Sequence, residues 1–166
     1  MDRQTFRVGK LSDAIDAANV PLSAVVKANG FVFVSGQPPL DPETGELIKG
    51  DIRVQTEAVM GNLKLCLEAA GSGLDKVVKC NVYVTNIAYY DTVNEIYGRY
   101  FPNEPPARTF AAVASWPWEF DFQIECVALA LGRRHRLEPI EQSATPARAD
   151  FTSFVSVQPG KPACSG

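Results

Sequence analysis

The sequence predicts an α+β fold, and three observations carry the prediction. First, residues 23–28 and 31–35 are apolar and rich in β-branched side chains, and Asn29-Gly30 separates them as in a tight β-hairpin. Second, two stretches, near 52–70 and 89–101, repeat apolar residues at helical spacing. Third, Gln123 to Gly132 reads as a buried strand. Phe122, Ile124, Cys126, Ala128 and Ala130 share one of its faces, and Val127, Leu129 and Leu131 share the other with Glu125. Several strands and two long helices suggest a two-layer sandwich, a mixed sheet with both helices on one face. One helical layer leaves the second face of the sheet uncovered, which predicts oligomerisation.

In chain order, Thr5 to Val8 is a short strand candidate, followed by the hairpin. Pro38 to Gly45 (PPLDPETG) is a turn-rich loop. Asp51 is placed to cap a helix in which Val59, Leu63, Cys66 and Ala70 recur, with Gly71 ending it. Val78, Cys80, Val82 and Val84 alternate with Lys79, Asn81 and Tyr83 as a strand with one buried face. Val93, Ile96, Tyr97 and Tyr100 form the stripe of a second helix. NEPPA (103–107) breaks that helix, a strand starts near Arg108, and a loop through Trp116 to Trp118 reaches the strand of Glu125. The expected order is β-β-β-α-β-α-β-β.

A chain of 166 residues suits one ordinary domain, and an apolar fraction of 46% suits a globular one. Gly132 marks the expected domain end. Residues 133–166, with GRRHR followed by scattered Pro, Ser and Thr, read as a C-terminal extension. No apolar run reaches the ~18 residues of a membrane span. MDRQTFRVGK has no apolar core of a signal peptide, so a cytoplasmic location is expected. The net charge of −3 argues against nucleic acid as a partner. Cys66, Cys80 and Cys126 fall on apolar faces, and with no CxxC pair the sequence supports no zinc site. The one histidine, His135, lies in the basic run, which leaves the domain without a Ser-His-Asp or Cys-His pair. Catalysis there falls to Glu, Asp, Arg, Lys, Tyr or backbone groups.

Glu125 needs a partner or a task, because an isolated buried charge costs several kcal/mol or more. It is either one half of a structural ion pair or a carboxylate that binds and deprotonates water. Arg108, held by Pro105 and Pro106 at a strand start, is its expected partner, or else a bidentate clamp for a ligand carboxylate. Trp116, Pro117 and Trp118 either wall a pocket or plug the core. Ser35-Gly36-Gln37 either lets backbone approach a ligand or makes a simple tight turn.

Phe33 to Pro39 (FVSGQPP), DPETG at 41–45, NLKLCLEAAG at 62–71, VNEIY at 93–97, YFPNEPPAR at 100–108 and IECVA at 124–128 occur in that order. Over about residues 20 to 131 the chain resembles the RidA/YjgF family of imine/enamine deaminases. The resemblance implies a chorismate-mutase-like α+β domain over residues 1–132, assembled as a homotrimer around a central barrel with sites in the clefts between subunits. It implies hydrolysis of 2-imino or 2-enamine acids, such as 2-aminoacrylate, to 2-oxo acids and ammonia, with no metal or cofactor. By the same resemblance Arg108 grips the substrate carboxylate, Glu125 handles the water, and Ser35 and Gly36 supply a backbone contact. Two positions depart from the family pattern. Val25 is matched to the tyrosine of a Gly-Pro-Tyr segment, and Phe110 stands where Cys or Val is common. With Val25, Phe110 and Trp116 lining the site, larger imino acids are the expected preference. Two other readings stay open: a 2-aminomuconate-type deaminase of aromatic degradation, and a non-catalytic ligand-binding or chaperone-like member that holds a 2-oxo acid.

Overall fold

The computed structural model describes residues 3–131. The expected extension at 133–166, with His135 and Cys164, lies outside the described residues. Nine elements follow in order: β1 (Arg3–Phe6), α1 (Gly9–Ala17), β2 (Val25–Ala28), β3 (Phe31–Gln37), α2 (Ile52–Ala69), β4 (Val77–Val84), α3 (Tyr90–Tyr100), β5 (Ala107–Ala112) and β6 (Phe122–Leu129). The strands form one mixed sheet ordered β1-β2-β3-β6-β4-β5, in which only the β4–β5 pair is parallel.

Local chemistry explains most of these elements. Asn29 (φ 50°) and Gly30 (φ 82°) both take the left-handed conformation, as a type I′ turn requires, and Ala28 pairs with Phe31 across it. Asp51 caps α2, its Oδ1 accepting from the backbone N–H of Arg53 at 2.9 Å and of Val54 at 3.1 Å. Gly71 closes the same helix with φ 69°. The core lies between α2, α3 and one face of the sheet. Val59, Leu63 and Cys66 from α2 and Val93 and Tyr97 from α3 meet Cys80, Val82, Val84, Phe122, Ile124, Cys126 and Ala128 there.

Three expectations change. Among the described residues there are three α-helices, not two. α1 has only Leu11 and Ser12 fully inside and no capping side chain at Val8, so its periodic signal is weak. Arg7 bridges Asp13 and Asp16 beside it, at 2.8 and 2.7 Å. Next, β1 ends at Phe6 rather than running from Thr5 to Val8. Finally, the β4 ladder shifts register between Val77 and Lys79, which brings Val77 into the core and turns Val78 outward, 42% exposed. The covered face of β4 is therefore Val77, Cys80, Val82 and Val84.

Burial raises the Cys66 thiol to a pKa of about 12 and, more than any neighbour, sets that of Cys80 at about 11. Both behave as small core residues, as does buried Cys126. The sheet's opposite face carries exposed Phe31, Phe33 and Leu129. Among the described residues no helix is long and apolar enough to cross a membrane.

Candidate functional site

Glu125 stands on the uncovered face at the centre of the sheet, between β3 and β4. Its cross-strand partner on β4 is Asn81. Glu125 Oε1 accepts from Asn81 Nδ2 at 2.8 Å and from the Tyr83 hydroxyl at 3.1 Å. Burial, and then the bond to Glu125, hold the Tyr83 phenol above its usual pKa, so it stays a donor at neutral pH. Both bonds fall on Oε1, and no described residue bonds Oε2 at hydrogen-bond distance.

On its other side Glu125 faces a β-bulge. The β3–β6 ladder runs from Val34↔Cys126 to Gln37↔Ile124, so Ser35 and Gly36 together oppose the single residue Glu125. Ser35 Oγ donates to the Ser23 carbonyl at 2.7 Å, and the Ser35 carbonyl accepts from Gln37 Nε2 at 2.8 Å. A shallow cavity of about 270 Å³ opens here, lined by Val26, Phe33, Ser35, Lys79, Asn81, Glu125 and their neighbours. Lys79 Nζ donates to Thr109 Oγ1 at 2.6 Å and is the one cation in that lining. The structure thus brings Glu125, Ser35 and Gly36 together.

It does not bring Arg108 to them within one chain. Arg108 is paired with Cys80 in the parallel β4–β5 ladder, and so lies on the helix-covered side. Glu125 pairs with Asn81, on the opposite face. The expected Arg108–Glu125 contact is therefore replaced by the bonds from Asn81 and Tyr83. The Arg108 guanidinium rests 4.7 Å from the Tyr97 ring centre and 5.6 Å from that of Phe110, two aromatic faces that hold a planar cation. Phe110 in turn meets Tyr90 edge to face at 4.9 Å. This cluster lies where the outer strand, β5, meets α3.

Trp116 is stacked on Phe120 at 5.0 Å and sits edge-on to Tyr83 at 6.3 Å. It lines a separate cavity of about 480 Å³ with Trp118, Gln55, Thr85 and Asp121. It supports Tyr83 from behind and does not line the Glu125 cavity.

A family model described as Endoribonuclease L-PSP matches residues 12–130. The chain belongs to this family, the YjgF/RidA family. It is 42% identical over 112 residues to Reactive Intermediate Deaminase A, chloroplastic, of Arabidopsis thaliana, covering 68% of this chain and 60% of that one. The crystal structure of a putative endoribonuclease from Thermotoga maritima superposes with a TM-score of 0.65 at 48% identity, over 68% of this chain and 88% of that one. RidA from an Antarctic Psychrobacter superposes with a TM-score of 0.68 at 36% identity, over 76% and 98%.

For a RidA-family chain, the placement of Val25 corrects the match made from sequence. Val25 is completely buried among core residues, while its neighbour Val26 lines the Glu125 cavity. A tyrosine that reaches the site cannot correspond to a core position. Pro21-Leu22 preserves the Pro-X part of the Gly-Pro-Tyr pattern, and Leu22 is exposed. Nothing in the hairpin sequence marks which of Val25 and Val26 faces inward, and the structure takes Val25 out of the site. The expectation of larger substrates, in so far as it rested on Val25, goes with it. Sequence reasoning also missed Asn81 and Tyr83 as the partners of Glu125. Asn81 and Tyr83 had a signal, since they are the polar half of an alternating strand.

Proposed function

We propose that this RidA-family chain hydrolyses 2-imino or 2-enamine acids to 2-oxo acids and ammonia. The observation that supports the reading best is the carboxylate of Glu125, fixed through one oxygen by Asn81 and Tyr83 and set opposite the Ser35-Gly36 bulge. A bulge leaves backbone polar groups outside the ladder, where a ligand can reach them. Glu125 then holds a water against the imine carbon. The water oxygen adds to C2, its proton passes through Glu125 to the nitrogen, and collapse of the carbinolamine releases ammonia and leaves the 2-oxo group.

Arg108 grips the substrate carboxylate from a second copy of the chain. Within one chain Arg108 and Glu125 face opposite sides of the sheet, and Arg108 lies on its outer strand. Exposed Phe31, Phe33 and Leu129 give the uncovered face an apolar surface to bury against such copies. A homotrimer satisfies both needs. The description of the matched family as an endoribonuclease points to RNA instead. The net charge of −3 favours a small anionic substrate held by one arginine over a polyanion, which asks for a basic track.

The test is a coupled assay in which an amino-acid oxidase or a PLP-dependent dehydratase generates the imine. The protein is expected to accelerate release of the 2-oxo acid without added metal. An unchanged rate across imines from alanine, leucine and phenylalanine, with a 2-oxo acid still bound, would favour the non-catalytic binding reading. RNA cleavage without imine turnover would overturn the proposal.

A further inference from the structure

The larger cavity, about 480 Å³ beside the segment that joins β5 to β6, has no part in the deaminase reading and shares no lining residue with the cavity at Glu125. Part of its lining is a polar network. Gln55, 4% exposed, uses both ends of its amide: Oε1 accepts from the Asp121 backbone N–H at 2.7 Å, and Nε2 donates to the Gly50 carbonyl at 2.9 Å. The same Nε2 reaches Asp121 Oδ2 only at 3.4 Å, while the Thr85 hydroxyl donates to Asp121 Oδ1. Asp121 is half-buried and, among the described residues, forms no ion pair. A carboxylate drawn partly out of water and bonded only to neutral donors favours a cation. Trp116, Trp118 and Phe120 supply the aromatic lining. Trp116 is held by its stack on Phe120 and its edge contact with Tyr83, and its buried N–H meets no acceptor among the described residues, so no hydrogen bond keeps an occupant from shifting the ring. Trp118 is 46% exposed, which leaves its ring open to a ligand. Lys49 and Glu119 complete the charged lining. Both are exposed, screened by solvent and opposite in sign, so half-buried Asp121 sets the charge that an occupant meets.

We propose that this cavity is a second ligand site and that it takes a small organic cation, a protonated amine on an apolar body. The ammonium donates to Asp121 Oδ2, the oxygen with the weaker bond, and the indoles cover the apolar body and offer their ring faces to the charge. A cavity of about 480 Å³ with aromatic walls and a few polar groups has the size and make-up of sites that enclose a small molecule. An anion of the same shape meets Asp121 as a like charge, and a neutral molecule forgoes the charge-assisted bond. The inference stands apart from the deaminase reading, and either can fail without the other.

The chain has two tryptophans and both line this cavity, so fluorescence excited beyond the tyrosine band reports on it and not on the cavity at Glu125. The probe is phenethylamine, protonated at neutral pH, titrated into the full chain. Phenethyl alcohol and 3-phenylpropionate are its neutral and anionic matches in shape. Phenethylamine should shift the emission along a saturable curve, and each match should bind about tenfold more weakly or worse, the loss expected with a charge-assisted hydrogen bond. Asp121→Asn keeps an acceptor oxygen for Thr85 and removes the charge. It should weaken phenethylamine about tenfold or more and leave the alcohol unchanged. Glu119→Gln removes an exposed charge and should weaken the amine by less than about fivefold. Each variant is checked for wild-type circular dichroism and thermal midpoint. If Asp121→Asn does not fold, the ratio of amine to alcohol affinity in the wild type decides alone. Equal affinity for amine and alcohol, or amine binding untouched by Asp121→Asn in a folded chain, would overturn the inference. So would the lack of any saturable shift up to millimolar phenethylamine.

Discussion

Alternate residues of the same strands build two faces of opposite character. On β6, Phe122, Ile124, Cys126 and Ala128 are buried beneath the helices, while Gln123, Glu125 and Val127 between them are half-buried and Leu129 is exposed. β4 repeats the contrast, with Cys80, Val82 and Val84 inside against Lys79, Asn81 and Tyr83 outside. The covered face is made of apolar side chains and unreactive thiols and holds the fold together. The bare face mixes a polar strip with exposed aromatic rings, a combination that a single chain in water does not need. A carboxylate bonded on one oxygen beside a bulge is what an interface or a ligand would use. Glu125 and the exposed rings thus share one face, and the core that holds the fold together takes the other.

Substitutions can break that division. The largest effect is expected from Phe122→Ala. Phe122 is fully buried, and emptying such a site typically costs about 3–5 kcal/mol. Its neighbour Gln123→Ala should stay within about 1 kcal/mol of wild type in urea denaturation. Equal losses in the two would dissolve the distinction between the faces. Next comes assembly. Phe33 is 44% exposed on the bare face, so Phe33→Glu should leave the chain folded but reduce the mass by light scattering from about three times 18.1 kDa to that of one chain. A wild type already monomeric at micromolar concentration would remove the trimer from the proposal.

Glu125→Gln sharpens the contrast. The shape and the acceptor oxygen for Asn81 and Tyr83 are retained, while the proton acceptor is lost. General-base contributions of 10²–10⁴-fold set the expected fall in kcat, with 2-oxo acid binding and thermal midpoint little changed. Full activity in a folded Glu125→Gln would make Glu125 a purely structural residue.

What could be read from the sequence depended on distance along the chain. The hairpin at Asn29-Gly30, the Asp51 cap, the α2 and α3 stripes and the two faces of β6 are all written within about twenty residues, and the structure reproduces them. Relations between strands were not legible. The parallel register that pairs Arg108 with Cys80 decides which side of the sheet the arginine faces, and no local pattern encodes it. The bulge after Val77 is a one-residue slip hidden in a run of two valines. α1 leaves little trace in the sequence, because nine residues with one fully buried apolar side chain carry little periodicity. Val25 and Val26 are equivalent letters until the ladder places one in the core and one over the cavity. Gly36 reads as a turn glycine, and only the structure shows the Gln123 carboxamide lying in the space a Cβ would take there.

The smallest effect is the most specific. Tyr83 offers one of two bonds to Glu125, and the longer one, at 3.1 Å against 2.8 Å from Asn81. Tyr83→Phe keeps the ring against Trp116 and removes the hydroxyl alone. A half-exposed bond is worth the low end of the ordinary range of about 0.5–1.5 kcal/mol, so the fold should barely register the change. Turnover should fall only a few-fold, because Asn81 still holds Oε1. The pH dependence carries more information. The phenol pKa in the folded chain is raised by burial first and by the carboxylate second, so the folded state favours the protonated phenol. That contribution is fully present below the phenol pKa of the unfolded chain, about 10, and is lost as pH rises through the higher folded value. Wild type should therefore lose stability above pH about 10 more steeply than Tyr83→Phe, with the two curves parallel at neutral pH. Identical alkaline limbs would mean that the hydroxyl does not hold Glu125 in solution and that Asn81 orients the carboxylate alone.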